Sequence, residues 1–383
     1  YVLQHVLDRD LEKLDLPLRN LLRLGAYQIL FCDGIRDAAA VSESVGLAKG
    51  IGLDRAHGLV NAVLRQIGRV AEEIRFPKLE EDPVHHLMHW GSLPRWIAER
   101  WLEVFGPAEA AQLAQASLSR PPRTVRVSEG ADLEVVTRHL PGSPCRFAPR
   151  GITDLRVDPV QDAGFRRGEF SVQDEASQLV PLLLGAEPGE TVVDCCAAPG
   201  GKAVHLAELV GASGEVIALD IHRNRLSLIG REAMRLGLGN LRLLERDCVR
   251  GFDLRGAQHF RRILVDAPCS GLGVLRRNPD ARWRLRPDDL PTLAALQLAL
   301  LRSAARYLDR EGALVYSVCS IDPEETEAVV KRLLQAEPGL RRDDPRPYLP
   351  DRARGLIDEH DALRTLPHRD GSDGFYAVRL VRT

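Results

Sequence analysis

The stretch Thr191 to Lys202, TVVDCCAAPGGK, constrains the fold of this chain more than any other. A β-branched run ends at Asp194 and leads into Ala197-Ala198-Pro199-Gly200-Gly201. From Lys202 the apolar residues recur with helical period as far as Val210. A strand, a tight glycine turn and a helix are therefore expected. Glycine tolerates positive φ and lets backbone approach a ligand closely, and the following helix points free N–H groups at that place. A Walker phosphate loop is excluded, because Cys196 and Ala203 stand where it needs glycine and serine or threonine. The G-x-G-x-x-G dinucleotide fingerprint is also excluded, since Gly200 and Gly201 are adjacent. The next strand, Glu215 to Asp220, ends in a carboxylate about 20 residues after the turn, where doubly wound folds place an acid for ribose hydroxyls. Turn and acid together suit S-adenosylmethionine; a plain structural turn in an α/β domain is the alternative.

At 383 residues the chain exceeds what one core usually serves, so two or three domains are expected. Residues 1 to about 75 repeat apolar positions at three and four, with no strand alternation, and read as a small helical bundle. A linker and two more helical patterns follow, in which Trp96 and Trp101 read as core. From Arg120 the period changes to two, and with Asp132 to Leu140 and the proline-rich Pro141 to Pro149 this marks a small α+β domain. Beyond the glycine turn, strand and helix alternate regularly, which means a parallel sheet covered on both faces. Asp322, Pro323 and Glu325 are read as N-cap, N1 and N3 of a helix over Pro323 to Gln335, closed by a capping box. Gly374 to Val381 is read as a final antiparallel edge strand.

No apolar run could span a bilayer, and there is no secretory pattern. The chain begins at Tyr1 without a methionine, so the helical domain is expected to lack its first residues. The formal net charge is −2, which argues against a wholesale polyanion binder but leaves local patches open. Arginines cluster at Arg123 and Arg126, Arg146 and Arg150, Arg166 and Arg167, and Arg276 to Arg286. Any one cluster reads best as a solvated face; several around one pocket would point to RNA. The seven cysteines contain no C-x-x-C pair and fit neither a disulfide framework nor a zinc site, which points to a reducing cytoplasm and to no metal.

Two strands end in chemistry. Ile263 to Asp266 runs into Ala267-Pro268-Cys269-Ser270, and Leu314 to Val318 runs into Cys319-Ser320. In an open parallel sheet, ligands lie beyond the carboxyl ends of strands, so two thiols and a carboxylate should meet beside the cofactor. A strand-end cysteine alone is most simply a small buried hydrophobe. Beside an acid and a methyl donor it points to one reaction. Carbon 5 of a pyrimidine is not nucleophilic until a thiolate adds to carbon 6; carbon 5 can then take the methyl group, a base removes its proton, and the thiolate leaves. Cys195, Cys196 and Cys248 read as structural.

The segments DCCAAPGGK, ALDIHRNRL, ERDC, VDAPCSGLGVLRRNPDARW, YSVCSIDPEE and DGFYAVRL resemble the RNA 5-methylcytosine methyltransferases, in particular the RsmB (Sun/Fmu) family acting on small-subunit (16S) ribosomal RNA. LRNLLRLGAYQILF and GLVNAVLRQIGR resemble the NusB-like helical domain fused to that family. The resemblance covers nearly the whole chain. It implies an all-α NusB-like RNA-binding bundle over 1–78, a small α+β RNA-binding or linker subdomain over 79–168, and an α/β Rossmann-like class I methyltransferase domain over 169–383. It implies a cofactor loop at Cys196, Ala197, Ala198, Pro199, Gly200, Gly201 and Lys202, the ribose acid at Asp220, an acid near the adenine at Asp247, and further cofactor contacts at Arg225, Asp266 and Pro268. Cys319 corresponds to the nucleophile and Cys269 to the cysteine associated with adduct breakdown. Asp266 would stabilise protonation at ring nitrogen 3, with Lys202 reaching the same pocket. The family's usual threonine before the nucleophile is Val318 here, which removes a hydroxyl near the thiol. Arg276, Arg277, Arg282, Trp283 and Arg284 are expected to hold phosphates and stack on a base, and the target cytosine to be flipped or single-stranded. A cytoplasmic monomer acting on ribosomal RNA is expected. Transfer RNA is the alternative substrate, and a non-catalytic RNA-binding assembly factor the alternative class.

Overall fold

The apolar spacing of the first ninety residues is realised as helices. Leu16–Phe31, Asp37–Gly50 and His57–Val70 pack around Leu22, Val60, Leu64 and Ile67, all fully buried. Gly25 sits where the first of these helices crosses the third, and a Cβ there would overlap the side chain of Leu64. The computed structural model describes residues 1–254 and 259–382 and divides into two units, Tyr1–Trp90 and Gly91–Thr383. No described helix is long and apolar enough to cross a membrane.

The second unit opens with the segment Arg95–Leu118, which breaks at Gly106 (φ 73°) ahead of Pro107. Proline cannot continue a helix without losing a hydrogen bond. Trp101 is buried here as expected. Four short strands follow, β1 (Val125–Val127), β2 (Ser143–Pro144), β3 (Gly151–Thr153) and β4 (Phe170–Val172), in antiparallel order β2-β3-β1-β4. Asp132 caps the intervening helix Leu133–His139 by accepting from the amides of Glu134 and Val135. β4 lies just beyond residue 168 yet pairs with β1, so the small sheet draws on both sides of the boundary expected there.

The main sheet takes its strands from the regular alternation. They are β5 (Thr191–Asp194), β6 (Glu215–Asp220), β7 (Leu241–Glu245), β8 (Phe260–Asp266), β9 (Leu308–Val318), β10 (Leu340–Arg342), β11 (Ala362–Thr365) and β12 (Phe375–Arg382). The order is β10-β12-β9-β8-β5-β6-β7, with β11 also paired to β12. β5 to β9 are parallel, and the last three strands add on antiparallel. Successive residues of a strand face opposite sides. Ile263 and Val265 of β8 accordingly enter the core under helices Asp289–Arg306 and Glu327–Ala336, while Leu264 enters the core under Glu175–Leu183 and Gly201–Val210. Each such side chain, buried fully, contributes about 1.5–3 kcal/mol.

Two expectations fail. β12 is not an edge: Tyr376 to Val381 pair with β9 on one side, and β11 and β10 cover the other. Its alternation misled because Arg379, the polar position, is itself buried and donates to the carbonyls of Leu183 and Leu184 and to Asp343. The capping box is also absent. The helix begins at Glu327, Asp322 pairs with Arg100, and Glu325 turns inward to other partners.

Candidate active site

The glycine turn after β5 is held by its neighbours. Ala197 N–H donates to the Leu219 carbonyl (2.9 Å) and Ala198 N–H to Asp220 Oδ2 (3.3 Å). Arg225 Nη2 donates to the Ala198 carbonyl (2.8 Å). Gly200 has φ 117° and starts the helix Gly201–Val210; a Cβ there would press on Ile229 at 3.0 Å, so close packing and dihedral both require glycine.

Beyond the carboxyl ends of β5 to β9 lies a cavity of about 480 Å³. Seven of the residues expected at a cofactor line it: Cys196, Ala198, Asp220, Arg225, Asp247, Asp266 and Pro268. Ala197 is buried behind the turn, Pro199 is exposed on its crest, and Gly200, Gly201 and Lys202 support it from the helix. Ile221 and Arg246, within the segments ALDIHRNRL and ERDC, also line the cavity, as do Leu296 and Leu300, which no motif in the sequence marked.

Asp266, at the end of β8, receives a hydrogen bond on each oxygen: Lys202 Nζ at 2.8 Å on Oδ2 and Ser317 Oγ at 2.6 Å on Oδ1. Burial alone would lower the Lys202 pKa, but the charge of Asp266 and its hydrogen bond, the largest of the opposing effects, hold the ammonium above its ordinary value. Ser317 stands opposite Asp266 in the β8–β9 register, and its role was legible only once those strands were known to be neighbours. Cys269 and Cys319 also line the cavity, with their sulfurs 3.2 Å apart. The contact with Cys319, together with burial, pushes the Cys269 thiol well above its ordinary value. Cys269 therefore keeps its proton and can donate it toward the Cys319 sulfur. Burial likewise raises Cys195 and Cys196, and the Cys248 thiol donates to the Cys195 carbonyl (3.0 Å).

The arginines after the Cys269 loop mostly face inward, against expectation. Arg276 pairs with Asp373 (2.9 Å) and donates to the Gly371 carbonyl. Arg277 bridges Asp174 (2.8 Å) and Asp373. Arg282 donates to the carbonyls of Ser92 and Ser117. Arg126 is likewise buried against Glu208 and Gln173. A guanidinium offers five donors and can satisfy buried acceptors inside the fold as well as phosphates outside it. Trp283 and Arg284 remain exposed, at 59% and 73%.

A volume suited to a small ligand, a buried carboxylate at the end of β6 and an apolar wall of Leu296 and Leu300 fit the ribose and adenine of S-adenosylmethionine. Fold and site together define an S-adenosylmethionine-dependent methyltransferase. Residues 181–381 match the family model described as 16S rRNA methyltransferase RsmB/F, and residues 1–69 match that of the NusB family. The chain belongs to the RsmB/F family of 16S ribosomal RNA methyltransferases. It is 37% identical over 375 residues to the probable ribosomal RNA small subunit methyltransferase B of Bacillus subtilis, covering 94% of this chain and 82% of that protein. It is 36% identical to the ribosomal RNA small subunit methyltransferase B of Pseudomonas putida, covering 98% and 85%. Among solved structures, that of PH0851 superposes with a TM-score of 0.81 at 26% identity, covering 100% of this chain and 86% of that one. NSun6 from Pyrococcus horikoshii, solved with SFG, shares the fold at a TM-score of 0.66 and 20% identity, covering 77% and 99%.

Proposed function

We propose that this protein methylates carbon 5 of a cytosine in small-subunit ribosomal RNA through a covalent bond between Cys319 and carbon 6. The observation that carries this reading is the 3.2 Å approach of the Cys269 and Cys319 sulfurs in the cavity that Asp266 also lines. S-adenosylmethionine, held by the glycine turn, Asp220 and Asp247, supplies the methyl group. The Cys319 sulfur bonds to carbon 6 while Asp266, fixed between Lys202 and Ser317, stabilises a proton on ring nitrogen 3. Carbon 5 gains enamine character and takes the methyl group. In the breakdown a base takes the carbon 5 proton, its electron pair forms the carbon 5–carbon 6 double bond, and the carbon 6–sulfur pair returns to Cys319, toward which Cys269 can donate its own proton. A base in a duplex cannot reach strand-end thiols, so the cytosine enters flipped or unpaired. Exposed Trp283 offers a ring on which a neighbouring base stacks.

The Cys319→Ala variant should bind S-adenosylmethionine normally and lose methylation, as bisulfite sequencing of the RNA reads. Cys269→Ala should accumulate a protein–RNA adduct that survives denaturing electrophoresis. Wild-type methylation by Cys319→Ala would overturn the covalent reading. Failure of any adduct to form with an RNA that the wild type methylates would remove Cys269 from its breakdown.

A further inference from the structure

Each reactive cysteine is followed by a serine, and both serines reach the same buried carboxylate. Glu325 is fully buried. Its Oε1 accepts from the Ser270 amide (2.8 Å) and from Gln297 Nε2 (3.0 Å). Its Oε2 accepts from Ser320 Oγ (2.5 Å) and from Ser270 Oγ, and the two hydroxyls lie 3.1 Å apart. Tyr316 donates to the Glu325 carbonyl (2.6 Å) and lies 3.0 Å from Gln297 Oε1, while Gln297 also holds the Pro268 carbonyl (3.0 Å). One carboxyl group is thus tied to the loop after β8 and to the loop after β9 at the residue next to each thiol.

The ladder stops at Asp266↔Ser317, and the backbone bonds beyond it, from Ala267 N–H to the Ser317 carbonyl (2.9 Å) and from Gly273 N–H to the Cys319 carbonyl (3.0 Å), involve neither Cys269 nor Ser270. We propose that Glu325 is a positioning residue, which holds the Cys269 and Cys319 sulfurs in contact by bonding Ser270 and Ser320 together. Four hydrogen bonds onto a charged acceptor are strong and directional. The negative charge also helps to keep Cys269 protonated. The catalytic consequence rests on the covalent mechanism above; the positioning itself does not.

The two are separable by measuring the thiol pair directly. Dibromobimane becomes fluorescent when it bridges two sulfurs within a few ångströms, with Cys319→Ala as the blank. In the full-length Glu325→Ala variant the bridging yield should fall several-fold. Its kcat should fall on the order of 100-fold, as a displacement of about 1 Å does, and KM for RNA and S-adenosylmethionine affinity should stay within about threefold. Glu325→Gln keeps an acceptor for the Ser270 amide and a group the two hydroxyls can bond, so it should restore both bridging and kcat to within about tenfold. Its pH profile should shift, because the charge beside Cys269 is gone. Wild-type bridging in Glu325→Ala overturns the positioning role whatever the activity. Lost bridging with wild-type kcat upholds the positioning and overturns the need for two converging cysteines. If Glu325→Ala does not fold, Ser320→Ala unties only the Cys319 side. Reduced bridging there supports the proposal, and unchanged bridging overturns it.

Discussion

Replacing Asp194 by asparagine should stabilise this protein, and by more as the pH rises. Asp194 ends β5 at the centre of the sheet, is fully buried, and among the described residues neither of its oxygens has a well-formed hydrogen-bond partner. Burial first, and the negative charge of Asp266 second, push its pKa up to about 8, and Lys202 only partly offsets them. An unfolded aspartate titrates near 4. Between about pH 4 and 8 the folded chain therefore binds a proton that the unfolded chain does not, and folding stability falls as the pH rises through that window. Each pH unit is worth about 1.4 kcal/mol, so the cost grows by about 3 kcal/mol between pH 5 and 7.5. Asparagine has nearly the shape of the protonated carboxyl and removes the dependence. Urea unfolding of both proteins at several pH values gives the difference in stability, from which all other titrating groups cancel. A difference that stays constant from pH 5 to 7.5 would refute the argument, because it would mean that Asp194 is ionised in the fold or is not buried there.

Gly273 N–H bonds the Cys319 carbonyl at 3.0 Å and its own carbonyl accepts from Gly374 (2.9 Å), and a Cβ at 273 would collide with the Gly374 backbone. Gly273→Ala should cost at least the 1–3 kcal/mol typical of overpacking, read by thermal melting, and should reduce methylation in parallel. Arg276→Met leaves Asp373 and Asp174 buried with Arg277 as their remaining cation. It should destabilise by about 3 kcal/mol, the lower part of the range for breaking a buried pair, and a melt within a degree of wild type would contradict that. Trp283→Ala should leave the melt unchanged and weaken RNA binding by about 1–3 kcal/mol in a filter-binding titration, the worth of one stacked base.

The parts of the fold legible in the sequence are those fixed by local chemistry. Gly200 needs its positive φ, β5 and β8 carry the uninterrupted apolar residues Val192-Val193 and Ile263-Leu264-Val265 because both their faces are covered, and Asp220 follows the turn at the spacing of a doubly wound unit. What could not be read depends on which strands are neighbours. Ser317 serves Asp266 only because β8 and β9 pair in one particular register. Glu325 fits a capping-box pattern, yet the two serine hydroxyls compete for it and win. Arg276 and Arg282 look like a basic patch in one dimension and are interior hydrogen-bond donors in three. Residue type gave the chemistry of each group, while its direction came from tertiary packing.

The placement of β12 has a consequence for how the enzyme comes into being. It is the last of the sheet's strands to leave the ribosome, yet it belongs between β9 and the pair β10 and β11. While the chain is still being made, β9 therefore presents an open flank of backbone donors and acceptors along Ala313 to Val318, directly beside the strand end that carries Cys319. Translation must pass Val381 before that flank is covered. A chain that stopped short of Phe375 would carry every residue of the site on a sheet that cannot close around it.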